Sequence, residues 1–337
     1  MKLRQWLALS CCIGICANNA GAAAPPPSTV QQAVASIAGD TALISGWMSD
    51  QLRYAVPFNS TSGAVVPSQI KIFGFEVGVE GVASSTKLDV PALRNLPTSV
   101  VNTGNIDTFS RLPMPSVIGH AKIGLPFGLD FGVRGGGIPN ENINNGSTHI
   151  NVKNNIVGFD LRERVIDETM LKPFGLTVGA NFTHASGHLD STTNYSSQGT
   201  YQGFNSSLSA FGSNTGSATA SSHSQWDTQS WGLQAIANKH ILFLNPYIGA
   251  SVNRNFGTPG TTISTSGRET LSDNSGNSNF TDFQTLASES SSVNKWDLRA
   301  LIGLELTPFP FLHIGLGGEY AGAKDVAGSL GLRVQFR

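Results

Sequence analysis

The sequence predicts an all-β fold, an antiparallel transmembrane β-barrel of about ten strands (roughly eight to fourteen), with a short N-terminal helical segment. Three observations predict this class. Apolar residues alternate with polar or small ones over the last three segments of the chain. Short and long connections alternate between the predicted strands. The composition is rich in glycine (38 of 337 residues) and poor in charged residues (13%), which is typical of such barrels.

The C-terminal segment shows the alternation most clearly. From Val326 to Phe336 every second residue is apolar or glycine, and the segments that begin at Trp296 and Leu312 repeat the pattern. A lipid-embedded barrel turns its apolar face outward and frames that face with aromatic residues at both ends. The residues predicted to form this aromatic girdle are Trp296, Phe309, Phe311, Tyr320 and Phe336.

The first residues have the form of an export signal, which predicts a cleaved segment over residues 1–24. Positively charged residues precede an apolar run at residues 6–17, and small residues follow it. The run is shorter than the ~20 residues that a membrane-spanning helix needs. Cys11, Cys12 and Cys16 all lie in this segment, so the exported chain would contain no disulfide. A lipoprotein cleaved before Cys11 is the alternative.

Residues 25–68 differ from the rest of the chain. Helical patterns cover residues 31–38 and 41–54, on either side of Gly39 and Asp40. Two interpretations remain open: a plug inserted into the lumen, or a periplasmic helix packed on the rim of the barrel. Residues 69–337 are predicted to form the barrel itself.

Ten strands follow in order. They are predicted at residues 70–82, 116–124, 127–136, 152–165, 174–187, 225–240, 247–257, 292–306, 311–322 and 325–336. Short proline-containing turns alternate with long polar connections. The long connections are predicted at residues 83–115, 137–151, 188–224 and 258–291. Bacterial outer-membrane barrels have periplasmic turns and extracellular loops of this kind, so both termini are predicted to be periplasmic. A hairpin hidden in a long connection would raise the count to twelve.

Charged residues of both signs are predicted to face the lumen. They are Glu76, Glu80, Asp130, Arg134, Asp160, Arg162, Arg164, Asp297, Arg299, Glu305, Glu319 and Arg333. In a narrow lumen such charges would pair, because an unpaired buried charge is costly. The favoured interpretation is an internal network of ion pairs that fills the barrel, and the alternative is a charge-lined conduction path.

One pair of residues suggests chemistry. His184 and Ser186 are two residues apart on a predicted strand, so both project from the same face. This spacing resembles the active site of outer-membrane lipid A deacylases, in which a histidine activates a serine for attack on an ester. The sequence offers no convincing acid, since Asp190 is too near in the chain. A metal site at His184 and His188 is disfavoured, because four residues along a strand separate their Cβ atoms by roughly 13 Å.

Three stretches carry a further resemblance: residues 123–132 (IGLPFGLDFG), 245–250 (NPYIGA) and 328–336 (GSLGLRVQF). They resemble an uncharacterised family of Gram-negative outer-membrane β-barrels, which is itself distantly similar to long-chain fatty-acid transporter-like barrels. The resemblance implies that the barrel-assembly machinery recognises the last strand. That signal usually ends on the aromatic residue, whereas here Arg337 follows Phe336. In the transporters an N-terminal hatch closes the lumen, and residues 28–55 are the candidate hatch.

The sequence therefore predicts a non-enzymatic outer-membrane barrel for passive passage or binding of a small solute, with a hydrophobic solute favoured. The expected partners are outer-membrane lipid, the barrel-assembly machinery and that solute. No cofactor or metal is predicted, and the net charge of −1 gives no sign of nucleic-acid binding. One alternative is a closed structural or adhesive barrel that acts through its extracellular loops. The other is a lipid esterase that uses Ser186 and His184.

Overall fold

The computed structural model describes residues 30–63, 70–98, 110–145, 148–169, 173–201, 212–272, 278–322 and 325–336. The predicted export signal lies outside these residues. The helices are α1 (Val30–Thr61) and α2 (Val90–Arg94), with a 3-10 turn at Pro126–Gly128. The strands are β1 (Phe75–Lys87), β2 (Arg111–Gly124), β3 (Leu129–Asn145), β4 (Thr148–Ile166), β5 (Gly175–Tyr201), β6 (Gly212–Asn238), β7 (Leu244–Gly257), β8 (Gly260–Ser272), β9 (Ser278–Ser290), β10 (Val293–Phe309), β11 (Leu312–Ala321) and β12 (Asp325–Phe336). Neither helix in the described part of the chain is long and apolar enough to cross a bilayer.

Ten strands close into an antiparallel barrel. Strands β1 to β7 pair in chain order, β7 pairs with β10, and β10 to β12 continue the ring. Phe75 on β1 pairs with both Ile123 on β2 and Phe336 on β12, which closes the barrel. The predicted fold class, a barrel of about ten antiparallel strands preceded by a helix, is confirmed. The turns β2–β3, β4–β5, β6–β7 and β10–β11 share one end of the barrel, called here the short-turn end; the opposite end is the long-connection end.

The outer face of the barrel is apolar and the inner face is polar. On β1, Val77 and Val79 are 45% and 48% exposed, whereas Glu76 and Glu80 on the other face are 1% and 4% exposed. Burial therefore follows the reverse of the rule for a soluble sandwich. This distribution is the one that a lipid-embedded barrel requires.

Aromatic side chains lie at both ends of the apolar belt. The five residues that the sequence assigned to a girdle all have exposed side chains: Trp296, Phe309, Phe311, Tyr320 and Phe336. A row across β4, β5 and β6 continues the girdle, with the ring of Phe182 5.1 Å from Phe159 and 4.6 Å from Trp231 between centroids. Such rows are typical of the interface between lipid and water.

A second sheet projects from the long-connection end. Strands β5 and β6 are each 27 residues long. β6 pairs with β7 over residues 228–238 and with β8 over residues 213–225, and β8 pairs with β9. The parts of β5 and β6 that lie beyond the barrel form a sheet with β8 and β9, called here the extension. Arg268 on β8 forms two hydrogen bonds to Asp282 on β9 (2.6 and 2.9 Å), and these lower the pKa of the Asp282 carboxyl.

The extension corrects the sequence interpretation. Residues 188–224 and 258–291 were expected to be polar connections, and most of the described residues in them are strands; β3 and β4 likewise extend into residues 137–151. Serine, threonine and asparagine fill both faces of these strands, so the hydrophobic alternation that reveals a strand is missing. The hairpin β8–β9 gives the chain twelve described strands, but this hairpin lies outside the closed barrel.

Helix α1 is one continuous helix of 32 residues instead of the two shorter helices expected. Gly39, the expected break, lies within it, and nothing lies within 4 Å of the place where its Cβ would be. A single exposed glycine costs a helix only about 1 kcal/mol, which tertiary packing can offset. The helix ends just before Gly63, whose φ of +82° is the left-handed conformation that follows many helix C-termini.

Helix α1 begins over the extension and ends inside the barrel. The middle of the helix packs on β8 and β9, where Ser45 Oγ donates to the Thr261 carbonyl and Ser49 Oγ donates to the Glu289 carbonyl (2.9 Å). Further along, an apolar stripe of the helix packs against the inner wall. The buried helix residues of this core are Trp47, Met48, Leu52, Ala55 and Val56. These contacts differ from those expected of a helix packed at the short-turn rim.

Replacing Leu330 with arginine should destabilise the barrel by about 2–4 kcal/mol. Leu330 is exposed on the outer face near the middle of β12, and a guanidinium there must exchange water for lipid. Leu286→Arg is the matched control, because Leu286 is similarly exposed but lies on β9 in the extension. Urea unfolding in phospholipid vesicles measures both. Equal destabilisation of the two variants would contradict the assignment of the outer face to lipid.

Candidate functional site

The structure places the predicted lumen charges on the inner wall. Nine of them are buried: Glu76, Glu80, Asp130, Asp160, Arg162, Arg299, Glu305, Glu319 and Arg333. The other three are partly exposed: Arg134, Arg164 and Asp297. They divide between a group near the short-turn end and a group around the end of α1.

The group nearer the short-turn end is called here the lower cluster, and its centre is Arg333 with Glu76 and Glu305. Arg333 Nη1 lies 3.1 Å from Glu76 Oε2, and Arg333 Nη2 donates to Glu305 Oε1. Glu305 also contacts His313 Nδ1 (2.6 Å) and accepts a hydrogen bond from Asn245 Nδ2 (3.0 Å). One guanidinium therefore bridges two carboxylates from different strands, and each carboxylate has further polar neighbours. Such bidentate and branched pairing is what buried charges need.

Three members of this region were missing from the sequence prediction. Lys122 Nζ and His120 Nε2 lie 3.8 and 3.5 Å from Glu76 Oε1, and His313 contacts Glu305. The signal was available, because His120 and Lys122 are two positions apart on β2 and therefore face inward together. Beside them, Arg162 Nε lies 2.9 Å from Asp160 Oδ2.

Asn59 anchors the last turns of α1 to the barrel wall. Its Nδ2 donates to Ser84 Oγ (2.8 Å) and to the Met114 carbonyl (2.7 Å). Its Oδ1 accepts from Ser116 Oγ (3.0 Å) and Asn154 Nδ2 (3.2 Å). One fully buried amide therefore connects α1 to β1, β2 and β4. Because each partner is also buried, removing this side chain would leave several polar groups unsatisfied.

Two arginines contact the C-terminal end of α1. Arg299 donates to the Phe58 carbonyl (3.4 Å) and to Thr61 Oγ1, and its guanidinium also pairs with Asp297 and Glu319. Arg134 donates to the Ser60 carbonyl (2.8 Å). The last carbonyls of a helix lack intrahelical partners and carry a partial negative charge. The two arginines therefore donate hydrogen bonds to the last carbonyls of the helix, and their positive charge offsets the negative end of the helix dipole.

Just past the helix, Gly63 N donates to Glu319 Oε1 (2.6 Å). Glu319 thus contacts both the chain that leaves α1 and the Arg299 guanidinium. Glu319 was predicted to face the lumen, but its role as a bridge to the N-terminal segment was not apparent from the alternation. Gly63 has a φ of +82°, a left-handed conformation that glycine adopts without steric cost.

The helix end divides the lumen into unequal spaces. Beside Thr61, Gly63 and Arg134 the remaining void is about 20 Å³, which is room for about one water molecule. Below the helix end, toward the short-turn end, a cavity of about 930 Å³ opens; it is called here the vestibule. Its walls include Lys71, Arg164 and the lower cluster. The space beside Thr61 is therefore too small for an organic solute.

His184 and Ser186 lie on the outer side of β5, above the aromatic row at the long-connection end. The buried neighbours Thr183 and Ala185 face inward, so His184 and Ser186 face outward. Ser186 is paired in register with Asp227 on β6, and His184 Nδ1 lies 3.7 Å from Asp227 Oδ1. The acid that the sequence could not assign thus lies on the neighbouring strand. Asp190 instead contacts His223 and lies 3.8 Å from His188.

Within the described ranges, no group of three or more histidine, cysteine, aspartate or glutamate side chains has a geometry that could hold a metal ion. This statement includes the three histidines near Asp190 and Asp227.

A closed antiparallel barrel with a lipid-facing belt and a polar lumen defines the class of outer-membrane β-barrels. Within it, the chain belongs to the family described as "Family of unknown function (DUF6588)", whose model matches residues 76–336. No curated protein matches the sequence.

Solved outer-membrane barrels resemble the chain at low identity. The translocator domain of the autotransporter NalP from Neisseria meningitidis is 10% identical, covers 89% of this chain and 98% of its own, and has a TM-score of 0.32. The outer membrane protease OmpT from Escherichia coli is 8% identical, with coverages of 82% and 100% and a TM-score of 0.37. The Ralstonia pickettii toluene transporter TbuX is 12% identical, with coverages of 80% and 90% and a TM-score of 0.26. These likenesses are to barrels of several functions. They establish no specific relationship to the long-chain fatty-acid transporter family.

Proposed function

We propose that the protein is a gated barrel of the bacterial outer membrane, closed at rest by α1, that binds a small solute in the vestibule and gives it passage when α1 moves. The observation that carries this proposal is the position of the C-terminal turns of α1 inside the lumen; these turns and their contacts are called here the seat of the helix. The last turns of the helix lie inside the barrel, where the cavity beside Thr61 and Gly63 has a volume of only about 20 Å³, and a cavity of about 930 Å³ opens toward the short-turn end.

The seat combines two kinds of contact. From Trp47 to Val56, the apolar side chains of the helix pack against the inner wall, and each large one that is buried contributes about 1.5–3 kcal/mol. C-terminal to Val56, the contacts of Asn59, Ser60 and Thr61 are hydrogen bonds, which depend on distance and angle. Hydrogen bonds weaken steeply as their distance and angle depart from the optimum, so a small movement of the helix end would break these contacts.

The vestibule favours a polar solute. Its inner end, on the side of α1, is the lower cluster, where the charged residues Glu76, Glu305 and Arg333 are all buried. A hydrophobic solute would have to displace water from charged groups without compensating them. The hydrophobic solute that the sequence interpretation favoured is therefore less suited to this site than a small polar one.

In this proposal the short-turn end faces the periplasm and the extension faces the medium, as is usual for bacterial barrels. The barrel-assembly machinery would recognise β12, whose alternation ends on Phe336. Residues 25–68, with α1 at their centre, would act as the lumen plug.

Replacing Asn59 with alanine should make the barrel permeable to small polar solutes. The loss of four hydrogen bonds weakens the seat by roughly 2 kcal/mol, which raises the fraction of displaced helix about 30-fold. Swelling of proteoliposomes in glycerol and in glycine measures the permeability, and heat-modifiable gel migration shows that the barrel is folded.

Gly39→Ala is the control, because it lies in the same helix, is exposed and has open space at its Cβ. The wild type and this control should swell slowly. A folded Asn59→Ala barrel that is no more permeable than the Gly39→Ala control would contradict the proposed gate.

A closed barrel that acts through its extension is a second candidate. The observation that favours it is the order of the extension, in which the described parts of β5, β6, β8 and β9 form a continuous sheet beyond the barrel. Its outer surface carries hydroxyl and amide groups, such as the Thr219–Asn194 and Thr262–Ser288 pairs. An extracellular partner would bind this surface, and permeability would then be absent from the wild type and the Asn59→Ala variant alike.

The position of Asp227 favours a third candidate, an ester hydrolase at the rim. Ser186 Oγ would attack the ester carbonyl while His184 takes the hydroxyl proton and passes it to the departing alcohol. Asp227 would orient the imidazole, and water would then hydrolyse the acyl-serine. The pair lies next to lipid, above the Phe182 row, where the acyl chains of a lipid substrate would be accessible.

If this candidate is correct, Ser186→Ala should lower the release of fatty acid from lipid A in mixed micelles by at least about 100-fold. Ser217→Ala on the extension, an exposed serine remote from His184, is the matched control. Fatty-acid release that is absent from the wild type, or equal in both variants, would exclude the hydrolase.

A further inference from the structure

We propose that the vestibule is a binding site for a small organic anion, with carboxylates as its ligand class. The inference deepens the proposed function and rests on it, because it names the chemistry of the solute that enters from the short-turn end. The site consists of the cationic side chains Lys71, Arg164 and Arg333, which converge on one cavity of about 930 Å³. A cavity of this volume holds a solute of several carbon atoms together with its water.

The carboxylates of the vestibule are already neutralised. Glu76 pairs with Arg333 and has Lys122 on its other side, 3.8 Å away. Glu305 pairs with Arg333 and accepts a hydrogen bond from Asn245. Groups of the wall therefore offset the negative charge of both carboxylates, and each carboxylate has a cation or a hydrogen-bond donor beside it. A cationic solute would find no free counter-charge here.

Lys71 is the cation of the vestibule whose charge the wall does not offset, since Arg164 Nη1 lies 3.6 Å from Asp167 Oδ1 and Arg333 pairs with Glu76 and Glu305. Lys71 is exposed at the edge of the cavity and has no ion-pair partner among the described residues. Arg333 lines the inner end of the same cavity, but it is 97% buried and already pairs with Glu76 and Glu305. The ammonium group of Lys71 is therefore the donor that a solute in the vestibule would meet, with the guanidinium groups of Arg164 and Arg333 in the wall beside it.

The remaining wall fits an organic solute better than a bare inorganic ion. Ile70, Ile72, Leu125 and Pro310 line the same cavity opposite the cations. A carboxylate on a short carbon chain would place its charge toward Lys71 and Arg333 and its methylene groups against these apolar side chains. Ligand sites commonly combine a mostly apolar wall with a few converging polar groups.

The test uses the folded, full exported chain in a neutral detergent at an ionic strength of about 20 mM, where screening is weak. Isothermal titration compares three probes of similar size: succinate, the neutral succinamide and the cation 1,4-diaminobutane. Succinate should bind saturably, and the other two should not. Saturable binding of succinamide or the diamine as tight as that of succinate would overturn the proposal.

Variants locate the site. Lys71→Gln should weaken succinate binding about fivefold, because it removes one partly exposed cation. Lys87→Gln is the matched control: Lys87 is also exposed, but it lies at the far end of β1 and outside the vestibule. Arg164→Gln provides a second variant in the vestibule, and it should also weaken binding. Unchanged affinity in both Lys71→Gln and Arg164→Gln would overturn the assignment of the site.

Binding is measured on the closed barrel, so the outcome is independent of the gate. Succinate binding without permeation in the Asn59→Ala variant would leave this site in place and overturn the passage. Permeation without succinate binding would support the gate and overturn the anion site.

Discussion

The structure depends on one constraint: a helix ends inside a barrel. The final carbonyls of α1 lie in a space that holds almost no water, and a helix end cannot remain there unless its orphan groups find partners. Arg134 and Arg299 supply donors and positive charge to those carbonyls, and Asn59 connects the same turn to three strands. The inner wall is polar at this level because the end of the helix requires it.

The same constraint orders the charges around the helix. Arg299 contacts the helix and also pairs with Asp297 and Glu319, and Glu319 in turn receives the amide of Gly63. A change to any one of these groups would leave a buried charge without its partner, which is strongly destabilising. Nearer the short-turn end, Arg333 bridges Glu76 and Glu305 without touching α1. The barrel thus keeps one set of ion pairs for the helix and a second set that lines the vestibule.

Much of the architecture followed from the sequence because lipid imposes a strong pattern. The belt needs an apolar side chain at every second position, so the sequence predicted the majority of the ends of the ten barrel strands to within a few residues. Both ends of β12 (Asp325–Phe336) were predicted correctly. Outside the lipid that requirement disappears. Strands β8 and β9 carry serine and threonine on both faces and were interpreted as a connection. Gly39 was interpreted as a helix break because its cost is local, whereas the packing that offsets it is not.

The candidate sites were harder to predict, since each joins residues distant in the chain. The alternation could assign Arg299 to the lumen, but it could not show that Arg299 meets Phe58 and Thr61, 241 and 238 residues away. Asp227 lies beside His184 only because β5 and β6 pair in one particular register. Lys122 is a different case: its inward position was readable from β2 and was overlooked. Register and helix placement, and not residue type, therefore limit what the sequence can reveal here.

The most direct test of the central claim is single-channel conductance in planar bilayers. The exported chain is compared with a chain that begins at Gln69, and heat-modifiable gel migration verifies that both barrels are folded. If α1 closes the lumen, the complete chain stays silent and the chain without α1 conducts steadily. Equal conductance of the two, or two silent barrels that are both folded, would contradict the claim that α1 is what closes the lumen.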